Sequence, residues 1–359
     1  MKAVVYKERA KIEVVDLPKP QLAKDDDVIV RITLAGVCGA DLEFTQNGPE
    51  MGLFEGMRIG HEFVGVVDQV GKGIHTLKVG DRVVASAMFV DGGCYYCKRD
   101  LPSACEHGGL FGTPLFAEHG GDDIQGGQAE FIRVPYGDST LFKLPEGLTG
   151  DEFDTKVLPL GDNFATGYHG ALNANIKTGE TVVVIGDGAV GLSAVMAATL
   201  FGPSTIILVG RHDSRLELAK TIGATHVVNS KNEDPVAFVK SLTEGRGANS
   251  VIDSVGNKTA IAQGMEMTQA GASISVLGFG HLYEPVEQPY SSALFRNITI
   301  HTGVVNVAAY MEKLLPIVER GVIDPSKIFT DIIPLSQAEK GYDLMRDRTS
   351  GTLKVALRP

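Results

Sequence analysis

Four cysteines are few for a chain of 359 residues. A disulfide framework would be out of place in so long a chain without a secretion signal. No apolar run approaches the roughly 20 residues that a membrane span needs. Positive charge is also in short supply: lysine and arginine total 33 against 44 aspartates and glutamates, a formal net charge of −11. That balance argues against nucleic acid or an anionic membrane as a general partner. The opening Met1-Lys2-Ala3-Val4-Val5-Tyr6-Lys7 lacks the apolar stretch and small-residue cleavage site of a signal peptide. It reads as a first strand, and a cytoplasmic location is expected. Neither internal repeats nor low-complexity segments stand out. What is there, 43% hydrophobic and 21% charged residues, suits a globular protein with a sizeable core, and the length implies two domains.

The first 150 or so residues carry short alternating apolar segments, among them Val28-Ile29-Val30-Arg31-Ile32, Phe63-Val64-Gly65-Val66-Val67 and Arg82-Val83-Val84-Ala85. Turn signals separate them, a pattern that predicts a β-rich, barrel-like domain over residues 1–158. From about Pro159 strand-like runs alternate with helix-like stretches. The strands are expected at Thr181 to Ile185, Thr205 to Val209, His226 to Asn229, Ser250 to Asp253, Ala272 to Leu277 and Ile298 to His301. Helical patterns at Val190 to Phe201 and Ser214 to Ile222 lie between them, which predicts an α/β doubly wound parallel sheet over 159–302. The tail, 303–359, holds helix patterns at Val307 to Arg320 and Ser336 to Arg346. It ends in a strand, Leu353-Lys354-Val355-Ala356-Leu357, expected to return to the first domain. Gly108 to Gly127 reads as a glycine-rich loop ending in Gly126-Gly127-Gln128-Ala129-Glu130.

Three small clusters carry metal-ligand chemistry: Cys38, Gly60-His61-Glu62 and Asp162. Thiolate, imidazole and carboxylate suit an open zinc site, where three protein ligands leave a fourth position for water or substrate. Each residue alone has a bland alternative: Cys38 and His61 as packing, Asp162 as a helix N-cap. A second set, Asp91, Cys94, Cys97 and Cys105, has spacings of three, three and eight. A closed structural zinc site wants four ligands, and here a carboxylate stands where a fourth thiolate is usual. Such a site should bind zinc more weakly than four thiolates; the alternative is a degenerate lobe without metal.

Val182-Val183-Val184-Ile185-Gly186-Asp187-Gly188-Ala189-Val190-Gly191 is a β-branched strand running into G-x-G-x-x-G and a helix. Gly186 makes the turn, Gly188 lets the pyrophosphate approach backbone, and Gly191 lets helix and strand pack. The amides and dipole at Ala189 and Val190 complete the anion site. The acidic residue that binds NAD ribose belongs about 20 positions on. Gly210 occupies that slot, with Arg211 beside it and Arg215 a turn later. Guanidinium suits a 2′-phosphate, so NADP is expected over NAD. The alternative leaves Arg211 solvated and gives Asp213 the ribose. A Lewis acid and a nicotinamide site on one chain point to hydride chemistry at an alcohol or carbonyl carbon.

Gly60-His61-Glu62 before Val64-Gly65-Val66-Val67, the cysteine lobe, Gly126-Gly127-Gln128-Ala129-Glu130 and the glycine-rich turn resemble, in order and over nearly the whole length, the zinc-containing medium-chain alcohol dehydrogenases. The resemblance implies a GroES-like β-barrel catalytic domain with a Rossmann cofactor domain. It also implies one catalytic zinc on Cys38, His61 and Asp162, with Glu62 as an alternate ligand or neighbour and Asp41 steadying the histidine. A second, structural zinc would sit at Asp91, Cys94, Cys97 and Cys105. The implied activity is NADP-preferring oxidation of an alcohol or polyol, or reduction of an aldehyde or ketone. A dimer or tetramer through the nucleotide domain is implied, with Ile298-Thr299-Ile300-His301 as an edge strand. The chain departs from that family two residues after Cys38: Ala40 replaces the usual serine or threonine of the proton relay, and Glu43 stands where a histidine often ends it. The proton would then leave through water, Glu62 or Glu43. Rival readings are a zinc-free quinone or enone reductase of the same superfamily and a non-catalytic cofactor-binding protein.

Overall fold

The computed structural model describes residues 1–114, 126–146, 150–278, 285–287, 289–347, 349 and 351–359. The chain divides into two compact units, Met1–Ala165 with Asn306–Pro359, and Thr166–Val305. The second is an insertion in the sequence of the first.

The first unit opens with β1 (Lys2–Glu8) and β2 (Lys11–Asp16), paired antiparallel around Ala10 at φ 60. Its central strand is β3 (Val28–Val37), whose run of β-branched residues is almost wholly buried. Helix α1 (Gly39–Gln46) follows at once. Strands β4 (Phe63–Val70), β5 (Arg82–Ala85), β6 (Met88–Phe89), β7 (Gly109–Leu110), β8 (Phe131–Val134) and β9 (Leu141–Lys143) come next, with a short α2 (Gly137–Thr140) before β9. β4 and β8 both pair antiparallel with β3, β5 with β4, and β9 with β5. Register shifts in the β3–β4 ladder bend the strands, as bulges do. Within Gly108 to Gly127, expected to be all loop, Gly109 and Leu110 instead pair with Phe89 and Met88; residues 115–125 lie outside the described residues. Helix α3 (Asp151–Val157) and a 3₁₀ turn, Leu158–Gly161, lead into α4 (Asn163–Asn173), along which the chain passes into the second unit.

The second unit holds β10 (Thr181–Ile185), α5 (Ala189–Thr199), β11 (Thr205–Gly210), α6 (Asp213–Thr221), β12 (His226–Asn229), α7 (Pro235–Leu242), β13 (Ala248–Asp253), α8 (Lys258–Met267), β14 (Thr268–Val276), α9 (Tyr290–Arg296) and β15 (Thr299–Thr302). All six strands are parallel, in the order β12-β11-β10-β13-β14-β15. That is the doubly wound arrangement, in which the strand order reverses beside the first strand and ligands bind at its carboxyl end. Strand β14 begins four residues earlier than its apolar pattern, because Thr268 already pairs with Ala248 of β13; the register then shifts, and the ladder resumes at Ser273 opposite Ser250. The edge strand expected at Ile298–His301 is β15, at the sheet margin.

After Val305 the chain rejoins the first unit as α10 (Val307–Glu319), β16 (Asp331–Pro334), α11 (Ala338–Arg346) and β17 (Val355–Arg358). β17 pairs antiparallel with β3 and parallel with β16, so the larger sheet runs β16-β17-β3-β4-β5-β9 with β8 added on β3. Two tail expectations shift at their starts. Leu335–Gln337 form a 3₁₀ turn before α11, and β17 starts at Val355, leaving Leu353 and Lys354 outside the strand. The core of this unit gathers Val30, Ile32, Phe63, Phe111 and Tyr342, with Phe63 and Phe111 edge to face at 5.3 Å. No helix among the described residues is long and apolar enough to cross a membrane.

Candidate metal and dinucleotide sites

Cys38 sits where β3 gives way to α1, in extended conformation at the helix N-cap. Asp41, three residues on, accepts from the Cys38 amide at 2.9 Å and so fixes that corner. His61 and Glu62 lie just ahead of β4. Gly60 holds φ 93, a left-handed conformation open to glycine, and any Cβ there would stand 2.4 Å from the Gln128 side chain. Gly36 makes room for Glu62: a Cβ on it would meet Glu62 Oε2 at 2.1 Å. Asp162 follows the 3₁₀ turn directly before α4, and its Oδ2 faces Cys38 and His61.

Cys38, His61, Glu62 and Asp162 each place a donor atom within 4.8 Å of all the others. Cys38 Sγ is 3.4 Å and His61 Nε2 3.6 Å from Asp162 Oδ2. A tetrahedral zinc with legs of about 2.0–2.3 Å has edges of about 3.3–3.8 Å, so these separations fit the ion. The other ring nitrogen, His61 Nδ1, stands 3.1 Å from Asp41 Oδ1, leaving Nε2 as the nitrogen toward the cluster. Asp41 Oδ2 also accepts from Gln128 Nε2 at 2.9 Å, and Gln128 Oε1 accepts from the Tyr342 hydroxyl at 2.9 Å. Asn163 Nδ2 donates to Asp162 Oδ2 at 2.8 Å.

Without an ion the cluster is electrostatically tense. Burial, then Asp162, push the Cys38 thiol up to about 12. Burial opposes a charged His61, but Asp41, Cys38 and Asp162 outweigh it and hold its pKa well above 6.5. Burial would raise Asp162, yet His61 and Lys354 keep it below the ordinary carboxylate range. Burial raises Glu62 to about 7 against the pull of Lys354. Such opposed shifts are what a divalent cation would relieve, since its ligands must be a thiolate, a neutral imidazole and a carboxylate.

Sequence reasoning missed Lys354. Its Nζ lies 2.8 Å from both carboxylate oxygens of Glu62 and 3.3 Å from the Val37 carbonyl. The only signal was one lysine inside an otherwise apolar segment. Tyr342 was likewise read as part of an ordinary helix. Ala40 presents no hydroxyl, and Glu43 is exposed on α1, outside the donor cluster.

Asp91, Cys94, Cys97 and Cys105 form the second cluster, again with donor atoms within 4.8 Å of one another. Cys94 and Cys105 sulfurs are 3.9 Å apart, close to the edge of about 3.8 Å expected for two thiolates on one zinc. Asp91 Oδ1 accepts the amides of Gly93 and Cys94, and Oδ2 lies 2.6 Å from His107 Nδ1. Burial works against the Asp91 charge, but these contacts hold its pKa below the ordinary range. Burial and the neighbouring sulfurs raise Cys97. His107, which orients the carboxylate, was not foreseen.

In the second unit Gly186 takes φ 105 at the end of β10, and a Cβ on Gly191 would lie 1.8 Å from the Gly186 carbonyl oxygen. A Cβ on Gly188 would meet nothing within 4 Å. Gly188, Ala189 and Val190 are half-exposed at the start of α5, the place where a helix N-terminus can receive an anion. Gly210 ends β11, Arg211 is exposed just beyond it, and Arg215 is half-buried on α6. Asp213, the alternative ribose acid, accepts from Asn229 Nδ2 at 2.6 Å.

Residues 24–146 match the alcohol dehydrogenase GroES-like domain, and residues 189–320 the zinc-binding dehydrogenase domain. A zinc-binding alcohol dehydrogenase assigned in Mycobacterium tuberculosis is 36% identical over all of this chain and 89% of its own length. The solved alcohol dehydrogenase from Thermus sp. ATN1 is 34% identical, with a TM-score of 0.91 over 100% of this chain and 99% of that one. Solved neighbours at 26% identity include a zinc-binding dehydrogenase of Sinorhizobium meliloti bound to NADP (TM-score 0.85, covering 100% and 99% of the two chains) and an alcohol dehydrogenase described as NAD-dependent (TM-score 0.84, covering 100% of both).

Proposed function

From the premise that the chain belongs to the zinc-binding, medium-chain alcohol dehydrogenase family, we propose that it is an NADP-preferring dehydrogenase of alcohols or polyols that also reduces the matching aldehydes or ketones. It is an oxidoreductase acting on alcohols; the cofactor preference, the substrate class and the roles of individual residues are this reading's own.

Cys38, His61 and Asp162 would hold the catalytic zinc. The observation that carries this is the convergence of their donor atoms, with Asp41 behind the far nitrogen of His61. Zinc there supplies a Lewis acid for the substrate oxygen. Asp41 holds the His61 ring and, through Gln128 and Tyr342, is itself held. Glu62, clasped by Lys354, stays beside the ligands as a compensated charge. Ala40 cannot pass a proton, so water, buried Glu62 or exposed Glu43 on α1 must. An Ala40→Ser variant tests this: an unchanged rate and pH profile would mean a hydroxyl at this position is irrelevant.

Asp91, Cys94, Cys97 and Cys105 would bind a second, structural zinc. Free thiols throughout favour a reducing, cytoplasmic setting. β15 at the sheet margin, with exposed Tyr290, Leu294 and Phe295 on the preceding α9, supports a homodimer or homotetramer through this unit, because an open edge strand invites pairing. The donor set counts against the zinc-free quinone or enone reductase reading. Elemental analysis with turnover on an alcohol panel, using NADP and NAD in parallel, tests the whole. Two zincs per chain and a higher catalytic efficiency with NADP are expected; no zinc, or a preference for NAD, would defeat the corresponding part.

A further inference from the structure

Asp187, between the first two glycines of the dinucleotide turn, is buried, and its carboxylate reaches across to the neighbouring strand. Oδ2 accepts the backbone amides of Arg211 at 2.7 Å and His212 at 2.8 Å. His212 Nδ1 stands 3.0 Å from Oδ2 and 3.2 Å from Oδ1. Gly210 is pressed against the same side chain. A Cβ there would lie 2.7 Å from Asp187 Oδ2, 2.8 Å from Asp187 Cβ and 2.8 Å from Leu216 Cδ2. A side chain at 210 and the carboxylate of Asp187 therefore compete for one volume.

That volume matters because the end of the second strand is where a dinucleotide fold places the acid that binds ribose hydroxyls and repels a 2′-phosphate. In this chain the acid filling it comes from the turn after β10. It is spent on two amides and an imidazole of its own protein, and the side chains left at the strand end are Arg211 and His212. Resting on the reading of this unit as an NADP site, we propose that Asp187 is the positioning residue of the adenosine-ribose subsite. It closes the slot a carboxylate at 210 would use, and it fixes the Arg211-His212 corner so that a 2′-phosphate meets a guanidinium and an imidazole rather than an acid. Asp187 and Gly210 form a reciprocal pair: either the acid stands at 187 with glycine at 210, or the acid stands at 210 with a small residue at 187.

A cycle of four zinc-loaded proteins tests this: the parent, Asp187→Ala, Gly210→Asp and the double variant. Each is measured for thermal midpoint and for separate NADPH and NADH dissociation constants by nucleotide fluorescence. Gly210→Asp alone should lower the midpoint by several degrees, and adding Asp187→Ala should recover most of the loss, the non-additivity expected of side chains sharing a site. Asp187→Ala alone should weaken NADPH about tenfold more than NADH, the scale of one charge-assisted hydrogen bond. The double variant should move the preference toward NADH. A double variant no more stable than Gly210→Asp, or an Asp187→Ala protein with the parent ratio of affinities, overturns the proposal. Should Asp187→Ala fail to fold, Asp187→Asn, which keeps one acceptor oxygen, must shift the same ratio or the proposal falls. A parent that binds NADH more tightly defeats the NADP reading instead. Asp187 as positioning residue then stands if the midpoint recovers and the ratio moves, and falls if either does not.

Discussion

Replacing Lys354 by methionine isolates the contact least visible from the sequence. Lys354 and Glu62 are 1% and 0% exposed, so solvent does little to screen them, and one ammonium faces both oxygens at 2.8 Å. Burial works against the Lys354 charge, but Glu62 first, then Cys38 and Asp162, hold its pKa above the ordinary lysine value. Removing one partner of a buried pair costs about 3–5 kcal/mol, because the other charge is left uncompensated. For a unit of about 150–250 residues each kcal/mol is about 2–4 °C, so Lys354→Met should lower the first unit's midpoint by about 6–20 °C. The assay is calorimetry with zinc measured on the same samples, which separates loss of the pair from loss of metal. Glu62→Gln added to Lys354→Met removes the stranded charge and should restore more than half of the loss. A Lys354→Met protein that melts within a degree of the parent, or a double variant no better than the single, would refute the reasoning.

Three further outcomes follow from the same geometry. Gly36→Ala should destabilise by about 1–3 kcal/mol through overpacking against Glu62, whereas Gly39→Ala, whose Cβ would meet nothing within 4 Å, should be near neutral by urea titration. Cys94→Ala should lose one zinc per chain and lower the midpoint; a variant that keeps two zincs would remove Cys94 from the ligand set. Asp138 is opposed by burial, yet hydrogen bonds from Thr76 and His75 hold its pKa below the ordinary 3.8. A depressed carboxylate contributes stability above its unfolded value and loses it as the pH falls through the folded one. Midpoints measured from pH 5 down to about pH 2 should therefore fall less steeply for Asp138→Asn than for the parent.

Much of the fold was legible because its signals are local. Thr181 to Ile185 and Arg82 to Ala85 match strand bounds residue for residue, since β-branched runs closed by glycine or charge leave little choice. Spacing within a short segment likewise exposed Asp91, Cys94 and Cys97. The illegible parts are long-range or bidirectional. Lys354 lies 292 positions from the carboxylate it neutralises, and its neighbours advertise only an apolar strand. Gln128 stood inside a recognised motif, but its function depends on Gly36, Asp41 and Tyr342 converging on it. Gly210 was read as a missing acid; that the Asp187 carboxylate lies against it could be seen only once β10 and β11 were side by side.

The insertion of the second unit between Ala165 and Asn306 imposes an order on how the protein is made. A nascent chain that has emerged as far as Val305 already contains all eight residues of the two candidate donor clusters and every strand of the parallel sheet. It lacks Tyr342, Lys354 and β17, one of the three strands paired with β3. The second unit can therefore finish folding while the first still waits with Glu62 uncompensated and one flank of its main sheet open. Vectorial synthesis, which usually completes the N-terminal body first, here completes it only after the inserted unit, once residues 306–359 have been translated.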